Sequence, residues 1–174
     1  MPVRPSFRFI LAAAAAAMLG ACATAPQPLQ GAFPAVTPQQ VVADPVPGTS
    51  VRWGGRIVET LPKQDRTCFQ MVGMPLNASG RPDSGSADAS QGRFIACRAG
   101  FYDPAVFTPG RDVTFVGRIE GTDTVRIGEY DYRLPRMSAD IVYLWPEIRE
   151  VDVVMPPPRA YWGPYWGPWG WWGW

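Results

Sequence analysis

Between residues 51 and 145 the chain never sustains a helical period beyond two turns, and its apolar residues recur instead at alternate positions in short runs. Such alternation puts successive side chains on opposite faces, which is the signature of a half-buried strand. Residues 112–120 (DVTFVGRIE) show it most cleanly: Val113, Phe115 and Ile119 point inward, while Asp112, Thr114, Arg118 and Glu120 point out. Further strands are expected over 51–60, 67–74, 93–98, 125–134 and 138–145, the last stopped by Pro146. The Gly54-Gly55 pair suits a bulge or bend in the first of them. Within 125–134 the parity changes after Gly128. A bulge there returns Val125, Ile127, Tyr130, Tyr132 and Leu134 to one face. Six short strands joined by Gly/Pro turns predict an all-β domain, a small antiparallel OB-like barrel, with a sandwich as the alternative. Trp53, Tyr130, Tyr132, Tyr143 and Trp145 are expected as core and barrel-mouth packing, and the polar run 77–92 as a disordered loop.

The flanks of this domain follow different rules. Arg4 and Arg8 precede an apolar stretch, Phe9 to Leu19, far shorter than the roughly 20 residues a spanning helix needs. It ends in Leu19-Gly20-Ala21-Cys22, which resembles the bacterial lipobox. That resemblance implies cleavage after residue 21 and acylation of Cys22, since two or three chains anchor stably where one does not. A plain secretory signal with a chance cysteine is the alternative. Ala23 is not aspartate, and the sorting rule of such lipoproteins then implies the outer membrane, in its periplasm-facing leaflet. The chain is thus expected to divide into a signal segment (1–21), a lipidated, proline-rich and disordered tether (22–48), a barrel domain (49–155) and a tail (156–174).

Composition excludes much of the usual chemistry. The chain has no histidine, so no Ser/His/Asp triad, Cys/His dyad or imidazole metal site can form. Its single lysine, Lys63, follows no glycine-rich loop, which removes a Walker-type phosphate cradle. Two of the 16 basic side chains leave with the signal, against 15 acidic ones, so nothing suggests nucleic acid. Glu129 and Asp131 are the tempting carboxylate pair for glycoside hydrolysis, but as i and i+2 on one strand they are better read as solvated neighbours of Arg126 or Arg133. Asp103 before Pro104 reads as a turn or cap residue. No catalytic, cofactor or metal residues are assigned, and the chain is not read as an enzyme. With Cys22 lipidated, Cys68 and Cys97 remain as a disulfide candidate in an oxidising compartment; two buried thiols are the alternative.

The tail reads YWGPYWGPWGWWGW over 161–174 and holds six of the eight tryptophans. Gly and Pro forbid a stable helix there, and tryptophan favours the membrane–water interface. Trp162, Trp166, Trp169, Trp171, Trp172 and Trp174 are therefore candidate membrane contacts. Packing on the barrel, disorder, and stacking on sugar rings of glycan or lipopolysaccharide stay open as alternatives.

Taken in order, the lipobox, VRWGGRI at 51–57, Gly80-Arg81-Pro82, Gly92-Arg93-Phe94, Phe101-Tyr102-Asp103-Pro104, VTFVG at 113–117, Ile127-Gly128-Glu129-Tyr130 and Leu144-Trp145 resemble the Slp family of outer-membrane lipoproteins. The resemblance implies a lipid-anchored protein of the Gram-negative envelope, associated with starvation or stress, without established enzymatic activity. Its expected partners are outer-membrane lipids through Cys22, and an envelope protein or glycan. The Cys68/Cys97 pair and the tail depart from the family pattern. Oligomeric state is not readable from the sequence.

Overall fold

A computed structural model describes residues 24–83 and 89–148. Five strands, β1 (Ser50–Pro62), β2 (Arg66–Met74), β3 (Arg93–Ala99), β4 (Asp112–Ile127) and β5 (Tyr130–Leu144), close into a barrel in the order β1-β2-β3-β5-β4. Every pairing is antiparallel except β3 with β5, which run parallel over Ile95–Cys97 and Arg136–Ser138. The all-β, OB-like barrel expected from the alternation is the observed architecture.

Alternate residues of each strand fill the interior. Val51, Trp53 and Ile57 of β1 meet Phe69 and Met71 of β2, Phe94 and Ala96 of β3, Val113, Phe115 and Ile119 of β4, and Met137 and Ala139 of β5. The rings form a continuous path: Trp53–Phe94 at 5.4 Å and Phe94–Phe115 at 6.1 Å meet edge to face, and Phe115–Phe69 at 5.5 Å and Phe69–Phe107 at 5.3 Å are tilted. Each buried phenyl contributes about 1.5–3 kcal/mol by transfer from water, and each such ring pair about 0.5–1.5 kcal/mol more.

Four expectations need correction. The six strands are five, because Gly128 makes a turn where a bulge was expected. With φ +62° it takes the first central position of a two-residue hairpin turn, pairing Ile127 with Tyr130 and Val125 with Tyr132. Tyr130 at the tip is 68% exposed, against the packing role expected for it. In β1 the register shift lies between Ile57 and Glu59, not at Gly54-Gly55. Those glycines allow close approach instead: a Cβ on Gly55 would collide with the Val72 carbonyl, and one on Gly54 with the side chains of Leu76 and Thr114.

The third correction concerns the N-terminal tether. Residues 24–48 carry a 3-10 turn (Gln27–Leu29) and a helix, α1 (Pro38–Ala43), and both Leu29 and Val41 are fully buried. The helix starts at Thr37 with a capping box: Thr37 Oγ1 accepts from the Gln40 N–H at 3.2 Å, and Gln40 Oε1 accepts from the Thr37 N–H at 2.8 Å. Val41 then joins the core, while Trp53 Nε1 donates to the Val36 carbonyl at 2.7 Å.

The fourth concerns the loop after β2. Asn77 Oδ1 accepts from Ser79 N, Ser79 Oγ and Arg81 N, and Leu76 bridges to Pro82, so residues 76–82 are ordered. Residues 84–88 lie outside the described residues. Residues 76–82 fold back over the outer face of β1 and β4. Thr114 points out of the barrel as its parity requires, yet it is fully buried under this cover.

Candidate functional site

The covering loop organises the site. Thr114 Oγ1 donates to the Gly80 carbonyl at 2.8 Å and accepts from Trp145 Nε1 at 2.9 Å, tying β4 to the loop and to the residue after β5. Gly80 has φ +81°, and a Cβ built there would sit 3.6 Å from Leu29 Cδ1 and 3.8 Å from Ala25 Cβ. The N-terminal segment therefore lies against the loop, and Arg52 fixes it by donating from Nη1 to the Leu29 carbonyl at 2.7 Å. On the other side of Gly80, Arg81 Nη2 donates to the Pro146 carbonyl at 2.9 Å, and its guanidinium lies 5.6 Å from the Trp145 ring centroid. Gly80 and Arg81 are thus flanked by the two points where the chain enters and leaves the described domain. Cys22 is three residues before Ala25, within about 10 Å of extended chain. Cys22 itself and the six tail tryptophans lie outside the described residues.

A cavity of about 470 Å³ opens beside Arg81. Arg56, Arg81 and Arg111 converge on it with Asp112, Trp145 and Glu147. Asp112 is nine-tenths buried and receives Arg81 Nη2 at 3.4 Å on one oxygen and Arg56 Nε at 3.7 Å on the other. Arg111 pairs with Glu147 at 3.5 Å and donates to the Trp145 carbonyl at 2.9 Å. Sequence reading missed this cluster, because Arg56, Arg81 and Arg111 lie in three separate segments. The Gly80-Arg81-Pro82 motif was its one visible sign.

A second cavity, of about 610 Å³, lies over the outer face of β2 and β3, between the β1–β2 turn and the β4–β5 hairpin. That is the side on which OB-type barrels take oligonucleotides and oligosaccharides. Its floor contains Cys68 and Cys97, which face each other in register and are joined as a disulfide. Its walls are ion pairs: Arg136 holds Asp123 at 2.8 Å and Glu120 at 2.9 Å, and Arg66 holds Asp65 at 3.1 Å. Burial works against the charge on Arg136, but its hydrogen bonds to Glu120 and Asp123 outweigh this and raise its pKa. The hydrogen bond from Arg66 likewise lowers the pKa of Asp65. No aromatic ring is among the residues lining this groove, so it offers no stacking platform for sugar or base.

The remaining candidates are scattered. Glu129 and Asp131 are both exposed at the hairpin tip, Asp131 opposite Arg126 in register. Asp103 caps a turn, with Oδ1 accepting from Ala105 N at 2.8 Å. Among the described residues no group of three or more His, Cys, Asp or Glu side chains could hold a metal, and no helix is long and apolar enough to cross a membrane.

A lipobox-like start joined by a short N-terminal segment to a small closed barrel fits the organisation of a bacterial envelope lipoprotein. The chain belongs to the outer membrane lipoprotein Slp family, whose model matches residues 19–174. It is 35% identical over 154 residues to a protein of Escherichia coli K12 named "Uncharacterized lipoprotein YeaY", covering 85% of this chain and 76% of that one. It is 28% identical over 140 residues to "Outer membrane protein Slp" of the same organism, covering 77% and 72%. A Haemophilus influenzae "Uncharacterized protein" is 32% identical over 97 residues, covering 55% and 51%. No solved structure matches. The family places the protein at the outer membrane as a lipoprotein.

Proposed function

We propose that acylated Cys22 holds the protein at the outer membrane, and that the barrel turns its Gly80–Arg81 face to the bilayer to serve a structural or interaction role in the envelope. One observation carries this reading: the chain enters and leaves the domain on either side of that dipeptide. An anchor at Cys22 and the tail at 156–174, a few residues beyond Ile148, then reach the same surface. The tail tryptophans supply a second, interfacial contact. The starvation or stress association implied by the family resemblance belongs to this proposal. Survival of a deletion strain under carbon limitation checks it, and wild-type survival counts against it.

Two variants test the anchoring. Cys22→Ser is expected to release the protein from membranes, and full membrane retention after processing contradicts the anchor. Truncation after Pro158 in the unlipidated chain is expected to weaken liposome binding, and unchanged binding removes the tail from the account. A second reading is a binding module for envelope glycan or protein, favoured by the groove over β2 and β3. Retention of the purified protein on peptidoglycan sacculi, lost on substituting Arg136, would support it. Because the groove lacks aromatic side chains, sugar stacking in this reading falls to the tail.

A further inference from the structure

Arg81 and Asp112, which line the cavity, each carry one buried polar atom without a hydrogen-bond partner among the described residues, Arg81 Nε and Asp112 Oδ1. One is a donor on a cation and the other an acceptor on an anion. Neither is idle by exposure: the Asp112 side chain is 10% exposed and that of Arg81 19%. Leaving such groups unmet costs about 1–3 kcal/mol each, and more for charged ones, so buried orphans of this kind call for a partner. Asp112 Oδ1 has Arg56 Nε at 3.7 Å, an ion pair too long for a hydrogen bond. Beside these atoms lies a cavity of about 470 Å³ on which three guanidinium groups converge.

The ligand this arrangement fits has an anionic centre for the guanidinium groups and a hydrogen-bond donor for Asp112. A phosphate carrying an ammonium or hydroxyl group a few atoms away meets both demands, and arginine forks match phosphate oxygens in pairs. We infer that the cavity bounded by Arg56, Arg81, Arg111 and Asp112 is a binding site for a phosphate ester of this kind, the chemistry that a phospholipid head group presents. The inference rests on the Gly80–Arg81 face meeting the bilayer only for the source of the ligand. The donor-acceptor match stands without it.

The test uses the full mature chain with Cys22→Ser, so that lipid does not tether it. Three probes are compared: inorganic phosphate, glycerophosphoethanolamine, and vesicles of phosphatidylcholine with or without phosphatidylethanolamine. Glycerophosphoethanolamine is expected to shift the Arg81 Nε–H resonance saturably and to bind more tightly than inorganic phosphate. Arg56→Gln, at a half-exposed position, is expected to weaken it about tenfold with an unchanged melting temperature. Asp112→Asn is expected to abolish the preference over inorganic phosphate. No shift at Arg81, or undiminished affinity in Arg56→Gln, overturns the site. Equal affinity for the two soluble probes overturns the role of Asp112 and leaves a free anion as the ligand. Soluble-probe binding that survives while phosphatidylethanolamine adds nothing to vesicle binding counts against the membrane-facing reading and not against the site.

Discussion

Thr114 shows at the scale of one residue how this protein joins fold to site. Its hydroxyl stands between Trp145 and Gly80, so a single side chain links the barrel wall, the end of the last strand and the covering loop. Thr114→Val keeps the shape, removes both hydrogen bonds and leaves the Gly80 carbonyl and the Trp145 N–H buried and unpaired. The expected cost is about 1–3 kcal/mol, read as a lower midpoint in urea unfolding. An unchanged midpoint would mean that the loop is not held through this contact. The alternation in 112–120 told correctly which way Thr114 points. It could not tell that a distant loop lies over that face, because parity reports the side of a sheet and not its cover. Arg81 and Asp112 were illegible for the same reason: their partners come from residues 31 or more positions away.

At the scale of elements, turn chemistry and capping decided where expectation and structure part. The period-two runs were legible because each strand buries one face. Gly128 was misjudged because a bulge and a two-residue turn both use a glycine with positive φ, and only the pairing of Ile127 with Tyr130 separates them. Proline content pointed to an extended tether, yet Thr37-Pro38-Gln39-Gln40 is a capping-box sequence with proline at the first helical position. Thr37→Ala is expected to lower stability by about 1 kcal/mol and to speed hydrogen exchange in α1. Exchange as slow as in the parent would show that core contacts alone hold the helix. The β2–β3 pair makes the second prediction at this scale. Protein purified from an oxidising compartment should show no free thiol at Cys68 or Cys97. Replacing both by serine should cost roughly 3–4 kcal/mol, the entropy of opening a loop of about 30 residues. Titratable thiols in the folded protein would remove that constraint from the account.

At the scale of the whole molecule, the segments by which the chain enters and leaves the barrel lie, among the described residues, on one side of it. The N-terminal segment runs from Ala25 past Gly80, and the segment after β5 passes Arg81, which is why a common surface is proposed for the anchor and the tail. The family match places the protein at the outer membrane; the proposed orientation turns this surface toward it, and the cluster of Arg56, Arg81 and Arg111 faces the same region. The lipobox-like run can be read from sequence alone because signal segments are recognised from linear sequence by a peptidase. The shared exit face cannot, since it depends on how the loop after β2 folds back across the barrel. The most direct measurement is membrane proximity of two labels on the lipidated chain. One is attached through Ala78→Cys in the covering loop. The other is attached through Ala99→Cys at the end of β3, a strand that neighbours neither β1 nor β4. Quenching by lipid-borne quenchers should be strong at position 78 and weak at position 99. Equal quenching at the two positions, or stronger quenching at 99, would contradict a barrel oriented with its Gly80–Arg81 face to the bilayer.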